Sequence, residues 1–345
     1  MEARKYVDPR LAAAFLERPE EDFGKEKFDV TTLEGARGCL AQSEDEIKKL
    51  FVNMKVDRQG TETEKVKEGQ FEMFITSPPE SVTPLGVVLV YIHGGGMGIL
   101  STDGCMYGQQ RVDFAVRGFT VVGVQFRNSA GELGCHPFPA GLTDCVDAIR
   151  WVVKNRETKF EGAEKIILAG DSGGGNLTLA SAMKLKRDGD IGAVAGLYCF
   201  CPFISGLYGP ADAEEAEAVG LHSIKKFNEL MRSPEWMGLF TFAYDPEKAH
   251  RKDPLAWPLW ASVEELKGLP PCVLQMNEAD PLRDEGLMMY RKMLEAGVDV
   301  RARVLTGTFH AAEVICKKVM PALYDSALDD VVSFAKSILG SKKEQ

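Results

Sequence analysis

An α/β domain, with a mostly parallel sheet covered by helices on both faces, is predicted by three features of the 345-residue sequence. The first is a short continuous apolar run, VVLVYI at Val87–Ile92, of the kind buried on both faces of a sheet. The second is a rhythm in which such runs alternate with helical patterns through the rest of the chain. The third is Gly170-Asp171-Ser172-Gly173-Gly174, a G-x-S-x-G turn set between a strand pattern and a helical one.

The elements follow in order. Residues 1–50 are charged and helical in character and stand outside the sheet. Two β-rich runs, Thr61–Glu68 and Phe71–Ser77, precede Val87–Ile92, and FTVVGVQF at Phe119–Phe126 supplies the next strand. In Ala140–Asn155, Leu142, Cys145, Val146, Ile149 and Val153 fall on one helical face. The strand KIILAG (Lys165–Gly170), a helix to about Arg187 and a strand at Val194–Phe200 come next. Ser205–Trp260 then interrupts the rhythm with an acidic patch, ADAEEAEAV, the run MRSPEWMGLFTFAY and several prolines, without a strand pattern. The rhythm resumes with CVLQMN (Cys272–Asn277), a helix at Leu282–Ala296, VRARVL (Val300–Leu305) and a terminal helix at Ser326–Leu339. Residues 51–204 and 261–345 therefore make the α/β body, and 205–260 an insertion over the ends of its strands. The charge runs EEDFGKEK and SKKEQ read as solvated faces or a frayed end.

A chain of this length buries a core without staples, and 45% hydrophobic with 27% charged residues is the balance of a soluble globular protein. The net charge of −10 disfavours nucleic acid or an anionic membrane as partner and leaves a small neutral or cationic molecule. The N-terminus has no apolar core of a secretory signal, and no run approaches the roughly 18 apolar residues of a membrane span. A cytoplasmic location without membrane insertion is expected; assembly as a homodimer is left open. The eight cysteines lack C-x-x-C spacing and read as small buried residues in a reducing compartment. With no H-E-x-x-H or similar cluster, neither a metal nor an organic cofactor is expected.

GDSGG also surrounds the reactive serine of trypsin-like proteases. That reading requires an all-β, disulfide-bonded chain with its histidine and aspartate before the serine. Here a strand precedes Ser172, and Leu177, Ala180, Met183 and Leu185 continue in helical register after it. In a nucleophile elbow, Gly170 and Gly174 let strand and helix pass without a Cβ clash, and the helix N-terminus adds partial positive charge.

HGGGMG, His93–Gly98, follows the strand Val87–Ile92 at once. Contiguous glycines let backbone N–H groups point into a site that side chains would fill, as an oxyanion hole requires. Gly94, Gly95, Gly96 and Gly173 are its candidate residues, with Gly94 shaping the turn and the other three donating. The glycines do not complete G-x-G-x-x-G and no P-loop lysine follows, which argues against a phosphate cradle. His93, at a strand end before the glycines, is expected to prop the loop.

Asp280, in NEADPLRDEG, and His310, in GTFHAA, each follow a predicted strand and so emerge at the same carboxyl edge as Ser172. The order Ser, Asp, His is that of α/β-hydrolases. Asp280 before Pro281 also fits a helix cap, and Asp284 and Glu285 are competing acids. Asp280 lies nearest the strand end and is the expected partner of His310. Ser172, Asp280 and His310 then form a nucleophile, orienting acid and general base.

HGGG, GDSGGGNL, DPLRDEG, the downstream His310 and CHPFPAGLTDC together resemble the hormone-sensitive-lipase-like family of α/β-hydrolases, from about Val87 to His310. The resemblance implies an α/β-hydrolase fold with a cap built from the N-terminal helices and the Ser205–Trp260 insertion. It also implies a serine carboxylesterase that needs no cofactor; Trp236, Met237, Leu239, Phe240 and Phe242 of a modest cap, read as lining a compact apolar pocket, lead to short- to medium-chain acyl esters as the expected substrates. Amidases and lactonases share the same machinery; the plant gibberellin receptors on this fold lack the histidine. Three departures stand out: FRNSAGELG before the H-P-F-P-A segment, Gly173 where alanine is common, and Met97 in place of an aromatic residue.

Overall fold

The computed structural model describes residues 2–16, 29–51, 54–231 and 236–340. The charge runs at 20–27 and 341–345, and part of the MRSPEW stretch, lie outside the described residues.

Among the described residues, eight strands form one sheet in the order β1-β2-β4-β3-β5-β6-β7-β8. They are β1 (Glu62–Glu68), β2 (Phe71–Ser77), β3 (Val87–Ile92), β4 (Thr120–Gln125), β5 (Lys165–Asp171), β6 (Gly196–Phe200), β7 (Cys272–Ala279) and β8 (Val300–Phe309). β2 pairs antiparallel with both β1 and β4, and every other pairing is parallel. All six residues of β3 are buried, as befits a central strand covered on both faces, whereas the edge strand β1 (ETEKVKE) is largely exposed. β3 has β4 on one side and β5 on the other, so the order reverses beside it and opens a crevice at the carboxyl ends.

The principal helices are α1 (Leu33–Phe51), α2 (Cys105–Ala115), α3 (Ala140–Lys154), α4 (Gly173–Asp188), α5 (Trp236–Tyr244), α6 (Arg283–Glu295) and α7 (Pro321–Gly340). α3 buries Leu142, Cys145, Val146 and Ile149 as expected, but Val152 completes the face and Val153 is 37% exposed. α2 has no counterpart in the sequence pattern, because Gln109, Gln110, Arg111 and Asp113 are buried and break any apolar stripe. β8 continues to Phe309 instead of stopping at Leu305, through a register irregularity opposite Asn277 and Ala279, and α7 starts at Pro321.

Residues 205–260 hold short helices and α5, with no strand among the described residues. α5 packs on α1, where the Trp236 indole N–H donates to Ser43 Oγ at 3.3 Å. The first turns of the chain form a small core of their own. Ala3, Val7 and Leu11 meet Phe227 and Leu230 of the insertion and Ala279 and Phe309 of the sheet. These last two immediately precede Asp280 and His310. No helix among the described residues is long and apolar enough to cross a membrane.

Candidate active site

Ser172 sits between β5 and α4 with φ +53° and ψ −115°, a strained backbone for a residue with a side chain. Its N–H donates to Phe200 O at 2.9 Å and its carbonyl accepts the Phe203 N–H at 3.0 Å, so the turn is tied to β6 and the residues after it. A Cβ at Gly174 would lie 2.0 Å from Ile92 O, and one at Gly170 2.4 Å from Gly174 O. Helix and strand therefore touch backbone to backbone. Gly173 has a further reason to be glycine here, since a Cβ there would stand 2.5 Å from Met97 N.

The sheet brings Ser172, Asp280 and His310 together. His310 Nε2 lies 3.0 Å from Ser172 Oγ and Nδ1 lies 2.8 Å from Asp280 Oδ2. Burial opposes the imidazolium, but the Asp280 charge and its hydrogen bond outweigh it and lift His310 above its ordinary pKa. The two sequence readings of Asp280 coexist, because its Oδ1 accepts the Leu282 N–H at 2.9 Å while Oδ2 faces the histidine. Its competitors are engaged elsewhere. Asp284 accepts the Ser223 N–H at 2.7 Å, and Glu285 accepts the N–H groups of Ile204 and Ser205 at 2.8 and 2.9 Å.

In the HGGG loop, Gly94 stands apart from the three expected donors, its N–H taken by the Tyr107 hydroxyl at 2.8 Å. The Gly94 carbonyl accepts from His93 Nδ1 at 2.8 Å, and the Gly95 carbonyl accepts the N–H groups of Gly98 and Ile99 at 2.9 and 3.0 Å. In a trans peptide the following N–H points opposite to its carbonyl. Anchoring those two carbonyls therefore aims the Gly95 and Gly96 N–H groups, which have no acceptor among the described residues. Gly173, whose missing Cβ would meet Gly96 N at 2.8 Å, packs directly against the same stretch of backbone. His93 is fully buried, stacks on Phe126 with centroids 4.3 Å apart, and is pushed down to about 4 by burial. It is thus a neutral prop carrying its proton on Nδ1.

Sequence reasoning did not single out the residues that brace this site. Glu44 of α1, buried, accepts the Leu100 N–H and the Glu132 N–H, each at 2.8 Å, and so ties the far end of the HGGG loop to the N-terminal helix. Asp171 receives the hydroxyls of Tyr91 and Tyr107 at 2.9 Å each, and burial pushes its carboxyl up to about 6. Only the buried context marks these residues, and a single sequence does not display it. One group of potential metal donors arises among the described residues: Cys201, Asp280 and His310 place ligand atoms within 4.8 Å of one another. Two of the three are the already hydrogen-bonded acid and base.

A serine hydroxyl on a strained turn, an imidazole bridging it to a buried carboxylate, and unpartnered N–H groups beside it can support nucleophilic acyl transfer. Comparisons with known proteins point the same way. A family profile described as alpha/beta hydrolase fold matches residues 89–314. Among solved structures, the chain is similar to a brefeldin A esterase described as a bacterial homologue of human hormone-sensitive lipase. The identity is 36%, with a TM-score of 0.84 over 97% of this chain and 94% of that one. Esterase Est22 gives 30% identity and a TM-score of 0.80 over 97% and 98%. An ethyl acetate hydrolase of Pseudomonas putida is 29% identical over 245 residues, 68% of each chain. The carboxylesterase NlhH of Mycobacterium tuberculosis is 31% identical over 218 residues, 62% of each.

Proposed function

The chain belongs to the α/β-hydrolase-fold family, within its hormone-sensitive-lipase-like branch, and on that premise we propose that it is a serine carboxylesterase acting through an acyl-enzyme on Ser172. Ser172 Oγ attacks the ester carbonyl while His310 Nε2 takes its proton. Asp280 holds the Nδ1–H tautomer and stabilises the imidazolium that forms. The N–H groups of Gly95, Gly96 and Gly173 receive the oxyanion; Gly94 holds the loop, its N–H given to Tyr107. His310 then returns its proton to the leaving alcohol, and water repeats the sequence on the acyl-enzyme to release the acid. Residues 1–50 and 205–260 act as the cap and 51–204 with 261–345 as the catalytic body; the substrate is a small ester with a short to medium acyl chain.

The observation that supports this reading most is the single imidazole within hydrogen-bond reach of both the hydroxyl, at 3.0 Å, and the carboxylate, at 2.8 Å. A retained histidine in that position also favours catalysis over a receptor role. The test is a pre-steady-state burst of p-nitrophenol from an activated ester, with mapping of the residue labelled by a serine-directed organophosphonate. A burst and label on Ser172, both abolished in Ser172→Ala, are expected. Label on another residue, or more than a few per cent of activity left in Ser172→Ala, would remove Ser172 as nucleophile.

A further inference from the structure

We propose that Tyr107, anchored on the Asp171 carboxylate, is a positioning residue that holds the oxyanion loop in register with the nucleophile elbow. The proposal rests on the esterase reading above and assigns a task to the residue before the serine, which the triad leaves without one. Gly94 N–H donates to the Tyr107 hydroxyl at 2.8 Å, and that hydroxyl lies 2.9 Å from Asp171 Oδ2. An amide N–H can only donate, so the tyrosine oxygen accepts it and its one proton must go to the aspartate. Tyr91 repeats the pattern on the other oxygen: Gln110 Nε2 donates to its hydroxyl at 3.0 Å, and the hydroxyl donates to Asp171 Oδ1 at 2.9 Å. Both bonds arrive at Asp171 as donors. A carboxylate, which only accepts, satisfies them together, whereas an amide in its place would turn a donor toward one tyrosine.

The span of this strut explains why it bears on catalysis. Asp171 is the last residue of β5 and the neighbour of Ser172, Tyr107 lies in α2, and Gly94 opens the loop after β3. The fit is tight, since a Cβ at Gly94 would stand 2.2 Å from Asp171 Oδ2 and 2.8 Å from the tyrosine oxygen. Two strand ends and one helix thus meet on two hydroxyls and one carboxylate, all buried. The peptide whose N–H meets Tyr107 immediately precedes the one whose N–H, on Gly95, faces the oxyanion. Losing the first contact frees the loop to rotate, and the donors are then off target when charge develops on the carbonyl oxygen, although the ground-state ester still binds.

The experiment compares Tyr107→Phe, Tyr91→Phe and Asp171→Asn with the wild type. It measures kcat and KM on p-nitrophenyl acetate, the inhibition constant of a short trifluoromethyl ketone, whose serine adduct carries an oxyanion, and the melting temperature. Tyr107→Phe is expected to lower kcat about ten- to hundred-fold, less than outright removal of an oxyanion donor, with KM within about two-fold. The ketone should weaken by the same factor as kcat/KM. Tyr91→Phe, which touches Asp171 but not the loop, should destabilise without an equal loss of ketone affinity. Unchanged kcat and ketone affinity in Tyr107→Phe, or equal effects from the two tyrosine variants, would overturn the proposal and leave a purely structural bond. Should Tyr107→Phe not fold, Asp171→Asn is read against Tyr91→Phe: a loss of ketone affinity beyond that of Tyr91→Phe supports the strut, and an equal or smaller loss overturns it. Phosphonate labelling of wild-type Ser172 tests the parent reading apart: failure there removes the esterase assignment, whereas labelling with an unaffected Tyr107→Phe removes only the strut.

Discussion

Four acids lie within Asn277–Gly286, and each meets a different partner: Glu278 takes the Gly307 N–H, Asp280 the imidazole, Asp284 the Ser223 N–H, and Glu285 the amides of Ile204 and Ser205. Sequence position distinguishes Asp280, because the end of β7 points it across the sheet edge, but nothing in the sequence says where the other three go. Their partners come from segments 29 to 81 residues away along the chain. Asp280→Asn should keep the side chain's shape and lower kcat roughly a thousand-fold or more, because the imidazole loses its tautomer and its counter-charge. Asp284→Asn should turn over normally and cost about 1 kcal/mol in urea unfolding. An inactive Asp284→Asn beside a near-normal Asp280→Asn would move the acid. pH gives a second test. His310 must be neutral to accept the serine proton and its pKa is raised, so kcat/KM should fall with decreasing pH through an apparent value above the ordinary histidine value of about 6.5. In the residual activity of Asp280→Asn that limb should move down, since burial is then opposed only by the weaker pull of Glu313 and Asp171; a limb that stays put would detach it from His310.

The elements that the sequence displays are those whose burial is one-sided or complete and apolar. β3, β5, α3 and α4 appear within a residue or so of their observed ends, and with them the elbow and the glycine loop. α2 does not appear, because its buried face is polar: Gln110 and Arg111 bond into the sheet and Tyr107 to Gly94. The end of β8 is also obscured, since Gly307 at φ +75° reads as a loop residue while the strand runs on to place Phe309 beside His310. α1 is legible as a helix but not as a part of the site. Glu44 gives it that part through two charged hydrogen bonds to backbone N–H groups, one of them on Leu100, whose φ of +73° needs holding. Glu44→Ala should therefore cost about 2 to 4 kcal/mol of stability and lower kcat more than it raises KM, with Glu44→Gln, which keeps one acceptor, falling between. A Glu44→Ala enzyme with wild-type kcat would show that the loop keeps its shape without α1.

At the scale of the whole molecule, the first turns of the chain and the insertion pack at the carboxyl ends of β7 and β8, and on the proposed reading the space that they leave open decides which esters fit. The bulky residues of α5 do not all face one pocket, as their clustering suggests. Phe240 rests on the oxyanion loop, where a Cβ at Gly96 would stand 2.4 Å from its ring, and Trp236 meets it edge-on with centroids 4.9 Å apart. Leu239 and Phe242 turn away and line a separate cavity of about 320 Å³ with Trp257 and Gly206, in which none of the triad takes part. Phe240 thus stands over Gly96 and Gly98 with Trp236, which bonds α1, behind it. Acetyl to hexanoyl esters should react well and longer chains poorly, each methylene beyond the limit facing a wall with nowhere to pack. Phe240→Ala should extend that range, raising the octanoyl-to-acetyl ratio of kcat/KM about ten-fold or more, in line with the selectivity that one or two methylenes carry in apolar pockets. Leu239→Ala, which lines the other cavity, should leave the ratio within about two-fold. A panel of p-nitrophenyl esters of graded length measures both, and wild-type rates on emulsified long-chain triglycerides equal to those on the acetate would mean that the cap opens far wider than Phe240 allows.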